Sequence, residues 1–215
     1  MKFVSVTNGD AGHHELRGAA LGKRRRAEAI EAARRLGIAA EVLDFHDGEL
    51  LPNLEPRREI IRLIREWEAD VVMGPRPNDY HPDHRACGLL VQDAAYMVTV
   101  PAIVPGTKPL RKNPVFLYFE DRFERPNPFR TDVTVPVSSV LGLKLDSIDA
   151  HASQFYEWLP WLDGRLGHVP RDPAERKVWL ARETAGFLGE AEKFELCEYG
   201  ARADAGRLRE LLCHR

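Results

Sequence analysis

The stretch ADVVMGPRPNDYHPDHRACGLLVQDAAYMV, residues 69–98, decides the fold. Val71 to Met73 is a short apolar run, stopped by Gly74, and reads as a β-strand. Gly74 to Pro82 carries three prolines, which keep it out of regular structure and make it a loop. From Asp83 to about Val98 the apolar residues follow helical spacing, with Leu90, Ala94, Met97 and Val98 expected to face inward. Strand, loop and helix in this order form half of a βαβ unit.

The same alternation continues on both sides. Upstream, Phe3 to Val6 reads as a strand that ends in the turn cluster Thr7-Asn8-Gly9-Asp10. Ala29, Ala32, Ala33 and Leu36 mark one face of a helix, and Gly37 is its C-terminal stop. Glu41 to Phe45 is a second strand, ending at Asp47-Gly48. Ile60, Leu63, Ile64 and Trp67 mark a second helix. Downstream of the quoted stretch, Val115 to Phe119 is a fourth strand. Strands that alternate with helices predict an α/β fold with a mostly parallel sheet covered on both faces.

The stretch between Pro101 and Pro128 holds six prolines around that strand and is expected to be ordered loop. Leu141, Leu145, Ile148, Ala152 and Phe155 then predict one long amphipathic helix. Asp172-Pro173-Ala174-Glu175 reads as an N-cap, a proline at the first helical position and a capping-box acid. That helix is expected to run to about Leu188, and a last short helix to cover Ala203 to Leu212. The expectation is one domain over residues 1–215, with a helical addition from about residue 138.

Composition narrows the function. The chain has 215 residues, 44 % hydrophobic and 30 % charged, enough for a real core. Its formal net charge of −2 gives no electrostatic case for nucleic acid or an anionic membrane. Cys87, Cys197 and Cys213 form no CxxC pair and no even framework, as expected in a reducing compartment. The opening MKFVSVTNGD has no signal-peptide pattern, and no apolar run is long enough to span a bilayer. A cytoplasmic protein acting on a small molecule is expected. The aromatic-rich C-terminal half could support a homo-oligomer.

The residues with the clearest chemistry are Asp79-Tyr80-His81-Pro82-Asp83-His84. They follow a strand and open a helix, at the end of an α/β sheet where ligands bind. His81 and His84, with an acid between them, could supply a metal ligand and an acid/base, since metal-binding imidazoles are oriented by nearby carboxylates. The plainer reading is a loop with Asp83 as helix cap. Thr7 to His14 also follows a strand. It lacks the GxGxxG order of a dinucleotide loop, and no phosphate loop occurs elsewhere. It reads either as a glycine-rich turn or as a loop lining a ligand crevice. His13 and His14 are expected to be solvated. In Lys23-Arg24-Arg25-Arg26, either the whole run is a solvated face or one arginine grips a substrate. Arg25 and Glu28 are spaced for an intrahelical ion pair. His151 reads first as a structural histidine on the long helix, and Trp158 and Trp161 as core or lid.

Taken in order, these pieces resemble the PIG-L/LmbE family of zinc N-deacetylases. The resemblance runs through TNGDAG at 7–12, Arg25-x-x-Glu28, Asp47-Gly48, Asp79 to His84, Asp132-Val133-Thr134 and His151-Ala152-Ser153-Gln154. It implies a Rossmann-like three-layer fold and removal of an N-acetyl group from a GlcNAc-type amino-sugar conjugate. It implies Zn²⁺ with His84 as a ligand, His81 as the residue serving the tetrahedral intermediate or the leaving amine, and Asp83 as the carboxylate that orients it. It places Asn8, Asp10, Arg25, Asp47 and His151 with the substrate. The family's His-Pro-Asp-Asp signature, on the loop after its first strand, does not occur ahead of Met1. The expectation is therefore that the chain starts about 35 residues late, by ordinary element lengths, without the first strand and two zinc ligands. The alternative is a non-catalytic sugar-binding or regulatory protein that has lost the metal loop.

Overall fold

A computed structural model describes residues 1–186 and 188–213. In chain order the first elements are β1 (Lys2–Thr7), α1 (Gly18–Leu36), β2 (Ala39–Phe45), α2 (Leu54–Glu66), β3 (Val71–Gly74), α3 (Pro82–Ala94), β4 (Val115–Phe119) and β5 (Val133–Pro136). They are followed by α4 (Leu141–Asp149), α5 (Leu159–Leu162), α6 (Pro173–Glu183), β6 (Ala191–Leu196) and α7 (Ala205–Cys213). The chain forms two compact units. One is Met1–Glu49 with Pro136–Glu190; the other is Leu50–Val135 with the chain from Ala191 onward.

In the first unit β1 and β2 pair in parallel, from Lys2 beside Ala39 to Ser5 beside Val42. The crossover between them is α1. Gly37 ends that helix with φ 68°, and the amides of Gly37 and Ile38 return to the carbonyls of Arg34 and Ala33. A left-handed residue is needed there, and glycine adopts that conformation without steric cost. Ala32 and Ala33 are buried, as the spacing predicts. The expected covering of both sheet faces is not met at β1, where Phe3 and Val4 stay exposed.

The helical addition packs on α1 within this unit. Arg35 donates to the Asp149 carboxylate and to the Asp146 carbonyl, both at 2.7 Å. The expected single helix over 141–155 is broken. A 3₁₀ turn at Ser138–Val140 precedes α4, α4 ends at Asp149, and Ser153–Trp158 is a π-helix. The break has a local cause: Glu28 takes both the Ser153 amide (3.0 Å) and the Ser153 hydroxyl (2.6 Å), so this turn bonds to α1 instead of its own helix. Asp172 caps α6 through the amides of Ala174 and Glu175. That helix ends at Glu183, short of Leu188, and Phe187 lies outside the described residues.

In the second unit the strand order is β3-β4-β6-β5. β3 and β4 are parallel, from Val71 beside Val115 to Gly74 beside Tyr118. β6 runs antiparallel to β4, so the sheets are partly parallel. Val115, Leu117, Val133 and Leu208 form one core cluster, with Val71, Met73, Phe194 and Leu196 packed against it. Asn53 caps α2 by accepting from the Glu55 amide. α3 stops at Ala94 instead of continuing to Val98, because Ala95 is extended and Tyr96 has φ 63°. Met97 is consequently exposed, not inward, whereas Leu90, Ala94 and Val98 are fully buried. Among the described residues no helix is long and apolar enough to cross a membrane.

Candidate functional site

The Asp79–His84 segment sits where β3 and its proline-rich loop deliver it to the start of α3. Gly88, on the second turn of that helix, allows the delivery. A Cβ there would meet the Pro75 carbonyl oxygen and the Pro77 nitrogen at 2.8 Å, so only glycine lets the loop lie against the helix. His81, not Asp83, is the N-cap: its Nδ1 accepts from the Asp83 amide at 3.2 Å. With Nδ1 engaged as acceptor, a neutral His81 carries its proton on Nε2.

Asp83 occupies the first turn and is buried, and its carboxylate accepts from the Leu50 amide at 3.1 Å. The carboxylate on His84 is that of Asp79, with Oδ1 3.0 Å from Nδ1. Asp79 also accepts from the His81 amide at 2.8 Å, so one acid fixes both ends of the histidine pair. The His84 side chain is 50 % exposed against 15 % for Asp79, which leaves an oriented imidazole facing solvent. The two imidazole centroids are 4.8 Å apart. At Cys87, one turn on, burial, then the charge of Asp83, pushes the thiol up to about 11.

The donors fit a zinc ligand. An imidazole with one nitrogen held by a carboxylate and the other free is the usual form of a metal-binding histidine. The sequence reading quoted Asp79 without giving it this task. The signal that could have found it is an acid five residues before His84, within hydrogen-bond reach once a loop turns back on a helix start.

In the first unit the residues expected near substrate gather at the carboxyl ends of β1 and β2. Asn8 is buried; its Oδ1 accepts from the Asp10 amide and its Nδ2 donates to Asp44. Asp10 accepts from the Asp47 amide at 3.0 Å and bonds His46 Nδ1 at 2.7 Å. Burial works to raise the Asp10 pKa, but the bonds from His46 and Asp47 outweigh it and the net shift is downward. The same pairing raises His46. Arg25 donates through Nη2 to the Gly12 carbonyl at 2.5 Å, while its Nε is buried without a partner among the described residues. Burial lowers its pKa, against the opposing charges of Asp47 and Glu28. A Cβ on Gly12 would lie 3.5 Å from both Arg25 Nη1 and Asp47 Oδ2, so Arg25 and Asp47 flank this glycine. His151 sits at the helix break, half-buried. Burial lowers its pKa, Glu28 opposes the shift and Arg25 adds to it.

Two expectations for this unit are corrected. His13 is not solvated: its Nδ1 accepts from the amides of Glu15 and Leu16 and its Nε2 meets Glu157 at 2.9 Å. His14 stacks between His13 and Trp161. Arg24, not Arg25, pairs with Glu28, at the i,i+4 distance, and Arg24 also forms a two-pronged bond to Glu157. Glu157 was not singled out from sequence, since its partners lie more than 130 positions away.

Comparison with known proteins gives the context. Residues 1–95 match the family model described as PIG-L: GlcNAc-PI de-N-acetylase. The diacetylchitobiose deacetylase of Thermococcus kodakarensis is 32 % identical over 173 residues, which is 74 % of this chain and 60 % of that protein. The 4-oxalmesaconate hydratase of Pseudomonas putida is 27 % identical over 135 residues, 62 % of this chain and 52 % of that protein. The chain thus spans between about half and three-fifths of these relatives' lengths. The solved N,N'-diacetylchitobiose deacetylase from Pyrococcus horikoshii superposes with a TM-score of 0.68 over 92 % of this chain and 73 % of that one. At 23 % identity this likeness shows a shared fold.

Proposed function

We infer, for a chain that belongs to the PIG-L family through its residues 1–95, a zinc-dependent hydrolase that removes the N-acetyl group from a GlcNAc-type amino-sugar conjugate. The observation that carries the reading is the Asp79–His84 pair, an exposed imidazole held by a part-buried carboxylate beside a second imidazole. His84 would be one of the three or four ligands that zinc takes. When bound, zinc polarises the acetyl carbonyl and brings the pKa of water near 7.

The chain's own residues have the following parts. His81, with Nδ1 held by the Asp83 amide, presents Nε2–H as a donor to charge developing on the acetyl oxygen. It keeps that proton and stabilises the charge as a hydrogen-bond donor. Asp83 holds the first turn of α3, which fixes the His81 backbone. In the first unit Asn8, Asp10, Arg25, Asp47 and His151 form a polar cluster of their own, suited to a ligand's hydroxyl groups. Support comes from Arg25, whose Nε is a buried donor without a partner among the described residues. Such groups are rare unless something satisfies them.

The test combines metal content with acetate release. His84→Ala is expected to lose zinc and activity together. His81→Ala is expected to keep zinc and lose about 10²- to 10³-fold in turnover, the usual loss for one donor to a developing oxyanion. A fully active His84→Ala protein that holds no metal would overturn the assignment.

The hydratase relative favours a second reading, addition of water to an unsaturated polycarboxylic acid. A histidine that donates a hydrogen bond to developing negative charge serves that reaction equally well. Acetate release from an N-acetylated sugar, against loss of absorbance of an unsaturated acid, separates the two.

A further inference from the structure

We propose that Tyr80, backed by Phe123, is a stacking platform for the apolar face of a pyranose ring beside His81 and His84. The proposal rests on the amino-sugar reading of this segment and names the residue that would read the ring itself. Tyr80 is 74 % exposed, although an aromatic ring gains from leaving water. It directly precedes the helix cap, so its backbone is fixed while its ring projects. The ring stands edge-on to both imidazoles, 5.8 Å from each centroid and inclined at 83° and 81°. On another side it meets Phe123 at 6.4 Å.

Phe123 is held in place by a buried device. Arg76, from the loop after β3, is almost fully buried. Its Nε and Nη2 donate to the two Asp121 carboxylate oxygens, both at 2.6 Å. Its Nη2 also donates to the Phe123 carbonyl at 2.9 Å and its Nη1 to the Asn127 carbonyl at 3.0 Å. The guanidinium further lies over the Phe129 ring, 5.7 Å from the centroid. A paired guanidinium that fills its donors with one carboxylate and two carbonyls pins the loop 121–129 against the histidine segment. The loop is long and proline-rich, yet its aromatic residue has a set position.

The chemistry of such a wall selects its ligand. The axial C–H groups of a pyranose ring form a flat apolar patch that matches an aromatic face, while its hydroxyl groups point to the rim. Ligand sites generally combine aromatic walls with a few polar groups that fix orientation. A planar polyanion offers no C–H face to a neutral ring, so the wall favours a sugar over an unsaturated polycarboxylate. Arg76 is a positioning residue in this arrangement and does not touch the ligand.

The experiment reads binding without turnover, by calorimetric titration of the chelator-treated protein with N,N'-diacetylchitobiose. Tyr80→Ala is expected to weaken binding by about threefold to tenfold, the range for one aromatic contact, with an unchanged melting temperature. Tyr80→Trp is expected to restore it, whereas Tyr80→Leu, with bulk but no π-face, is not. Arg76→Lys is expected to weaken binding while Tyr80 is intact. Equal binding by wild type and Tyr80→Ala overturns the proposal, as does full binding by Tyr80→Leu or no saccharide binding by the wild type. Tyr80-dependent binding in a protein that releases no acetate would sustain the platform and defeat the deacetylase reading. Acetate release together with Tyr80-independent binding would do the reverse.

Discussion

At the residue scale the chain's chemistry depends on how each imidazole is held. Asp79 holds His84 at 3.0 Å, and loss of such a partner usually costs about 10- to 100-fold in metal affinity. Asp79→Asn is therefore expected to weaken zinc binding by that order, measured by competition with a chromophoric chelator. Unchanged affinity would remove Asp79 from the site. The Asp10–His46 pair gives a pH signature. The Asp10 pKa is lowered, so its contribution is present above the unfolded value near 4 and is lost as pH falls through the lowered value. The His46 pKa is raised, so its contribution is present below about 6.5 and is lost as pH rises through the raised value. The difference in melting temperature between wild type and His46→Ala should be widest between about pH 4 and 6.5. A difference that stays flat from pH 4 to 9 would contradict the pairing. Spacing after a strand pointed to His81 and His84, and the family resemblance pointed to Arg25 and Asp47. Asp79, Glu157 and Tyr80 were assigned no task, because theirs arise from tertiary contacts that no local period encodes.

At the element scale the strands and helices that follow simple periods were legible. β1, α1, β2, α2, β3 and β4 lie where alternating and helical patterns place them, and Gly37 ends α1 as expected. The misses have physical causes. β6, with the sequence AEKFEL, is rich in helix-compatible residues and becomes a strand through its pairing with Leu117 to Phe119. The helix over 141–155 breaks because Glu28, far away in sequence, takes the Ser153 amide. α3 ends early at Ala94, two residues before Tyr96, whose positive φ has no sequence signature in a non-glycine residue. Gly88 carries the element-scale prediction. Gly88→Ala forces the Pro75–Pro77 backbone away from α3, against contacts of 2.8 Å. Overpacking of this kind typically costs about 1 to 3 kcal/mol. A lower melting temperature, with weaker zinc binding through the displaced Asp79, is the expected outcome. A variant as stable as wild type would show that the loop shifts freely.

At the scale of the whole molecule, element order indicated an α/β protein, the family resemblance implied a Rossmann-like fold, and the solved structures share that fold. The division into two units, each built from separated stretches of the chain, was not visible in the sequence, because contacts far apart in sequence determine it. The helical part from Pro136 to Glu190 joins the first unit through α1, by Arg35 with Asp149 and Glu28 with Ser153. Function is a property at this scale too, and the deacetylase reading can be tested as such. The most direct measurement is enzymatic quantification of acetate released from N,N'-diacetylchitobiose by the purified protein supplied with Zn²⁺. The account expects release that stops on chelation and in His84→Ala and falls sharply in His81→Ala. Release that persists in both variants and in chelator, or no release from any N-acetylated saccharide, would contradict it.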